Sequence, residues 1–218
     1  MFRMILFTQW RWGRLAVALW ALAAFAVPLL SIQTVGDPTA SRWEVGAILQ
    51  SVQVWGLVYP LLAGSAGLML ALITWGPDHA GRHVYALSLP LPRWHYALLR
   101  FGAGAALLTI VVGAVLLGAL VAVATVSLPD GLHAYPFALA LRFALAALVA
   151  YGAFFAIAAG SNRTAGYILA GLGGLVLAQI LVTATGSDVN FLAHLLERLF
   201  LWPGPLEVFT GRWMLIDV

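Results

Sequence analysis

The sequence predicts an all-α membrane protein: a polytopic helical bundle of five transmembrane helices with added interfacial or re-entrant helices. Three observations carry this. Five long apolar stretches lie at about 15–33, 54–76, 101–126, 137–159 and 165–186, each near the twenty residues that cross a ~30 Å hydrocarbon core. Of the 218 residues 63% are hydrophobic and 9% charged, against about 25% charged in soluble domains, so the chain is one membrane domain without a soluble core. There is no lysine, and the arginines are asymmetric about the spans. With a cytoplasmic N-terminus, Arg3, Arg11, Arg14, Arg82, Arg93, Arg100 and Arg163 fall inside, with Asp78 the only acid there. Arg42, Arg142, Arg198 and Arg212 fall outside with the other seven acids. Inside-positive bias of this kind sets orientation.

In residues 1–14, arginines alternate with Phe2, Ile5, Leu6, Phe7, Trp10 and Trp12. The pattern suits a short helix in the interface, arginines toward lipid phosphates and aromatics toward acyl chains; a plain positive flank fits it equally. Ala24-Phe25-Ala26 has the look of a signal cleavage site, but the apolar run is long and further spans follow, so span 1 is expected to be retained. Residues 34–50 read as an outer loop. In span 2, Tyr59-Pro60 is a candidate kink, and Gly64, Ser65, Ala66 and Gly67 let a neighbouring helix approach closely. Trp75 closes the span. Ser127, Pro129, Asp130 and Gly131 form an outer turn. Arg142, a turn inside span 4, is expected to snorkel to the headgroups. Gly160 to Thr164 form an inner turn. Span 5 offers a second small face, Ala170, Gly171, Gly173 and Gly174.

Beyond span 5, Ser187 or Asp188 is a candidate helix cap. Phe191, Leu192, Leu195, Leu196, Leu199 and Phe200 share one face opposite Asn190, His194, Glu197 and Arg198, an amphipathic period of 3.6. This segment, within 187–205, is too short to span and is expected to lie in the outer interface or re-enter. Trp202-Pro203-Gly204-Pro205 ends it.

Composition also excludes. The basic pI near 9.7 reflects topology rather than a nucleic-acid surface. With no cysteine, thiol catalysis and thiolate metal sites are ruled out. All five histidines lie in loops or interfacial segments, which argues against a bilayer haem and leaves Ser65 without a base. His79 and His83 are spaced like metal ligands but lack a third, so no metal site and no catalytic residue is expected. No span carries Asp, Glu or Lys at depth, as ion-coupled transporters usually do. Without lysine there is no P-loop of the usual kind, so any ATP chemistry belongs to another subunit. Lone polar residues that are candidates to line a path are Gln53, Tyr59, Ser65, Thr109 and Gln179, although such residues mostly bond to a neighbouring helix.

The inner segment 77–96, PDHAGRHVYALSLPLPRWHY, has twenty residues where about four to six would serve. It mixes charge with Tyr85, Leu87, Leu89, Leu91 and Trp94, and an exposed, partly apolar segment needs a cover, whether a partner protein or the lipid surface. Asp78, Gly81-Arg82, Ala86-Leu87-Ser88-Leu89-Pro90 and Arg93-Trp94 follow one another in an order that resembles the loop between spans 2 and 3 of ABC-2 type permeases, the membrane subunits of one class of ABC transporters. Trp202-Pro203 and Gly211-Arg212-Trp213 are similar to segments before that family's last span. The resemblance implies that 77–96 is a cytoplasmic coupling loop docking on an ABC ATPase through Asp78, Gly81, Arg82, Tyr85, Leu87, Leu89, Pro90, Arg93 and Trp94. It also implies that 1–14 is the interfacial helix before span 1 and that 187–205 holds the re-entrant helices before span 6. It implies a second permease subunit, identical or not, and ATP with Mg on the ATPase, no cofactor on this chain. It points to a multi-pass protein of the bacterial inner membrane, a non-enzymatic permease and an exporter, with lipid-like cargo favoured by the apolar spans. The family has six spans; this sequence reaches Val218 after five. A different reading is a structural or assembly subunit of a larger membrane complex whose loop docks on a neighbour that is not an ATPase.

Overall fold

A computed structural model describes residues 1–33, 55–80, 92–126, 128, 131–160, 162–185 and 190–217. Six α-helices account for most of them: α1 Phe2–Gln33, α2 Val58–Ala80, α3 Arg93–Thr125, α4 Pro136–Ala159, α5 Asn162–Ala184 and α6 Phe191–Phe200. Two short strands, β1 His133–Ala134 and β2 Ile216–Asp217, pair antiparallel. Among the described residues four helices are long and apolar enough to cross a membrane, α1, α2, α3 and α4. In α5 the apolar stretch among the described residues is the shorter Gly173–Ala184.

The chain divides into two compact units, residues 1–155 with 212–218, and residues 156–211. In the first, α1 and α3 run parallel, Gln9 beside Arg100 and Phe25 beside Gly118, while α2 runs antiparallel to both. The buried faces carry small residues, Ala24, Ala63, Ala66, Ala103, Ala119, Ala146 and Ala147, with Val111, Val115 and Phe143. The outward faces carry leucine, including Leu15, Leu19, Leu22, Leu61, Leu72, Leu117 and Leu141. Water gives such a surface no reason to exist, whereas lipid solvates it and leaves close packing to hold the helices. Two glycines mark where backbones meet. A Cβ at Gly118 would collide with the Phe25 carbonyl, and one at Gly67 would stand 2.6 Å from the Tyr151 amide nitrogen. On the same predicted small face as Gly67, a Cβ at Gly64 would meet nothing within 4 Å.

Several boundaries differ from expectation. Residues 1–14 and span 1 form one continuous helix, α1, of 32 residues. At 1.5 Å per residue that is about 48 Å, longer than the ~30 Å core, so the extra turns lift the arginines toward headgroups. The helix α2 continues past Trp75 through Pro77 to Ala80, and α3 begins at Arg93 rather than near 101. The first four and the last four residues of the segment 77–96 are therefore helical. Pro60 is the third residue of α2, where its missing N–H has no helical partner to lose, so it makes no mid-span kink. Proline inside a helix occurs instead at Pro28 in α1 and Pro77 in α2.

Where α3 ends and α4 begins, Gly131 (φ 98°) turns the chain into β1. Beyond Gly211 (φ 82°) the last residues return to pair with it, Ala134 opposite Ile216 and His133 opposite Asp217. Trp213, Leu215 and Ile216 are buried. Trp213 lies parallel to Tyr59, centroids 6.3 Å apart, and the Arg142 guanidinium sits 5.3 Å from its ring centre. Arg142 therefore packs on an indole rather than only reaching outward.

In the second unit, Asn190 caps α6 by accepting from the Ala193 N–H at 3.0 Å; the expected caps Ser187 and Asp188 lie outside the described residues. After α6 the chain folds back, Leu206 N–H donating to the Leu199 carbonyl at 2.9 Å.

Candidate functional site: a buried polar clasp where α2 ends and α3 begins

Asp78, in the last turn of α2, and Arg100, two turns into α3, form an ion pair at 3.0 Å. Their side chains are 4% and 7% exposed. The pair joins residues 22 apart in sequence, and it exists because both helices extend further than hydropathy indicates. Around it the polar groups are arranged in layers. The Tyr96 hydroxyl, one turn before Arg100, donates to Asp78 Oδ2 at 3.1 Å. A second guanidinium nitrogen of Arg100 donates to the Thr74 carbonyl. The guanidinium lies 5.1 Å from the Tyr96 ring centre and 5.5 Å from that of Trp75, faces that attract a cation. Gln9 of α1 donates from Nε2 to the Arg100 carbonyl at 3.3 Å.

A fourth helix closes the clasp. The Tyr151 hydroxyl of α4 donates to the Phe101 carbonyl at 3.2 Å and stands 3.4 Å from Thr74 Oγ1. A Cβ at Gly104 would overlap that hydroxyl, so glycine makes the room. The Tyr151 ring stacks on Phe101 with centroids 5.0 Å apart, and Phe155 packs on both. Four helices thus meet at one buried arginine. Removing an ion pair from water costs several kcal/mol per ion, which only full hydrogen bonding offsets. Asp78 has its pair and a tyrosine donor. Of the arginine's nitrogens, Nε is buried without a partner among the described residues, as is Gln9 Oε1.

Three of the expected coupling residues, Asp78, Arg93 and Trp94, lie among the described residues. Asp78 is the acid of the clasp and faces inward. Arg93 and Trp94 are exposed in the first turn of α3, Trp94 stacked on His95 with centroids 5.2 Å apart. Gly81, Arg82, Tyr85, Leu87, Leu89 and Pro90 lie outside the described residues. Each path candidate among the described residues has a local partner. Tyr59 is 1% exposed, packed under Trp213 and 3.3 Å from Ser31 Oγ. Ser65 and Thr109 donate to carbonyls of their own helices, Leu62 and Ala106. Gln179 joins α5 to α6, its Oε1 accepting from the Leu192 N–H at 3.3 Å. Gln53 lies outside the described residues. No group of three or more metal-ligating side chains occurs among the described residues.

Sequence reasoning placed Arg100 among the flanking charges and missed the clasp. The available signal was helical spacing, since Tyr96 and Arg100 are four apart and Thr74 and Asp78 are four apart, one face on each helix. No family model, curated protein or solved structure matches this chain.

Proposed function

We propose that this chain is the permease subunit of an ATP-driven transporter of the ABC-2 type, an exporter in a bacterial inner membrane. In this reading its N-terminus is cytoplasmic, α5 is the fifth span, a second permease subunit completes the path, and a separate ATPase supplies ATP hydrolysis. The observation that carries the reading is the clasp. Residues 81–91 join in sequence two helix ends that Asp78, Tyr96 and Arg100 tie together. A force on that segment is delivered to α2 and α3 as one body, and through Gln9 and Tyr151 to α1 and α4. A permease moved by a partner needs only this, a docking segment rigidly joined to its helices and a partner whose two states contact it differently. Arg82 supplies charge for acids on the ATPase, and Tyr85, Leu87 and Leu89 supply the apolar anchor, with exposed Arg93 and Trp94 at the rim.

The test is purification of the intact complex from membranes. Arg82→Glu with Leu87→Asp is expected to remove the ATPase subunit and its ATP hydrolysis while the chain still inserts and purifies as a monodisperse species. ATPase that stays bound at the wild-type level contradicts the docking role. A stable companion without a nucleotide site points instead to a structural subunit of another complex.

A further inference from the structure

A cleft of about 750 Å³ lies between the first turns of α1 and the middle of α3, a size within the ~300–1,000 Å³ of ligand clefts. Its wall is apolar, with Leu6, Phe7 and Trp10 on one side and Leu107 and Ile110 on the other, and Arg3 at its margin. A smaller and more polar open groove of about 410 Å³ adjoins it along the exposed face of α1, sharing Phe7 and Thr8 and lined further by Arg11 and Trp12. An apolar trough beside a polar, cationic pocket matches an amphiphile with an anionic head.

We propose that these joined clefts bind one anionic phospholipid, acyl chain in the trough and phosphate between Arg3 and Arg11. Charge complementarity selects this occupant. Residues 1–33 carry Arg3, Arg11 and Arg14 and no acid at all, so no side chain of α1 neutralises the pocket. The guanidiniums present planar donors suited to a phosphate, and Trp10 and Trp12 are the amphipathic rings that settle at headgroup depth. The length of α1 beyond the hydrocarbon core places this end at that depth. A zwitterionic lipid fills the same trough but brings a cationic group to two arginines, so the head decides between them. This site does not depend on the permease reading.

The experiment is native mass spectrometry of the full chain purified in the presence of equal amounts of phosphatidylglycerol and phosphatidylcholine. The wild type is expected to retain one phosphatidylglycerol in preference. Arg3→Gln with Arg11→Gln is expected to lose that preference, about fivefold for each arginine. Arg3→Lys with Arg11→Lys keeps most of it. Ala106→Phe, which fills the trough, lowers retention of both lipids. Arg14→Gln, which lines neither cleft, leaves retention unchanged. Equal retention of the two lipids by the wild type, a preference that survives the double glutamine variant, or an Arg14→Gln loss as large as theirs would each overturn the proposal.

Discussion

Among the described residues Arg100 is the one deeply buried cation, and its surroundings show what that requires. A guanidinium placed two turns into an apolar helix is tolerable only with a carboxylate at contact, a carbonyl on a second nitrogen and aromatic faces around it. All three are supplied, by Asp78, Thr74, and Tyr96 with Trp75. Removing either charge alone strands the other, so Asp78→Asn and Arg100→Gln are each expected to lower stability by about 3–5 kcal/mol. The double variant should lose distinctly less than the sum. Thermal unfolding in detergent, run as a double-mutant cycle, measures this; additive losses within about 0.5 kcal/mol would show that the pair is not a unit. The residues of the clasp were only partly legible in the sequence. Asp78 stood out as a lone acid, but its partner lies across a connecting segment. Nothing in one dimension says that Pro77 sits inside a helix or that Arg93 begins one.

At the level of elements, apolar runs located the long helices among the described residues, and four of them meet what lipid requires, about twenty apolar residues with the backbone bonded internally. The ends were less legible. Hydropathy falls where side chains become polar, whereas a helix stops where its hydrogen bonds find no further support. In α2 and α3 the clasp supports the extra turns, and α1 needs no break between Arg14 and Leu15 to carry its arginines out of the core. The return of the C-terminal residues to β1 was not foreseen, since a strand of two residues has no periodicity to read. It is readily tested, because the chain has no cysteine of its own. Ala134→Cys with Ile216→Cys places two thiols directly opposite one another, at a separation a disulfide spans. Mild oxidation is expected to cross-link this pair and not Ala134→Cys with Leu215→Cys, whose second side chain points to the other face. Cross-linking of the second pair in place of the first would show a shifted register.

For the whole molecule, two features stand together: a loop whose sequence resembles an ATPase-docking segment, and a buried polar joint that fastens both helix ends flanking that loop to the bundle. On the proposed reading each explains the other. A lever without a rigid root transmits nothing, and a costly buried ion pair beside an idle loop would have little to do. The path of any cargo was the least legible feature, since isolated polar groups in spans mostly satisfy their own helices, as Ser65 and Thr109 do. The most direct test replaces Tyr85 with a photo-cross-linking amino acid in the full chain and irradiates intact membranes. The account predicts a single cross-linked product whose partner is a cytoplasmic ATPase carrying a nucleotide-binding P-loop, lost when Leu87→Asp is added. Labelling of Tyr85 from the opposite side of the membrane, or a product with any other protein, would contradict it.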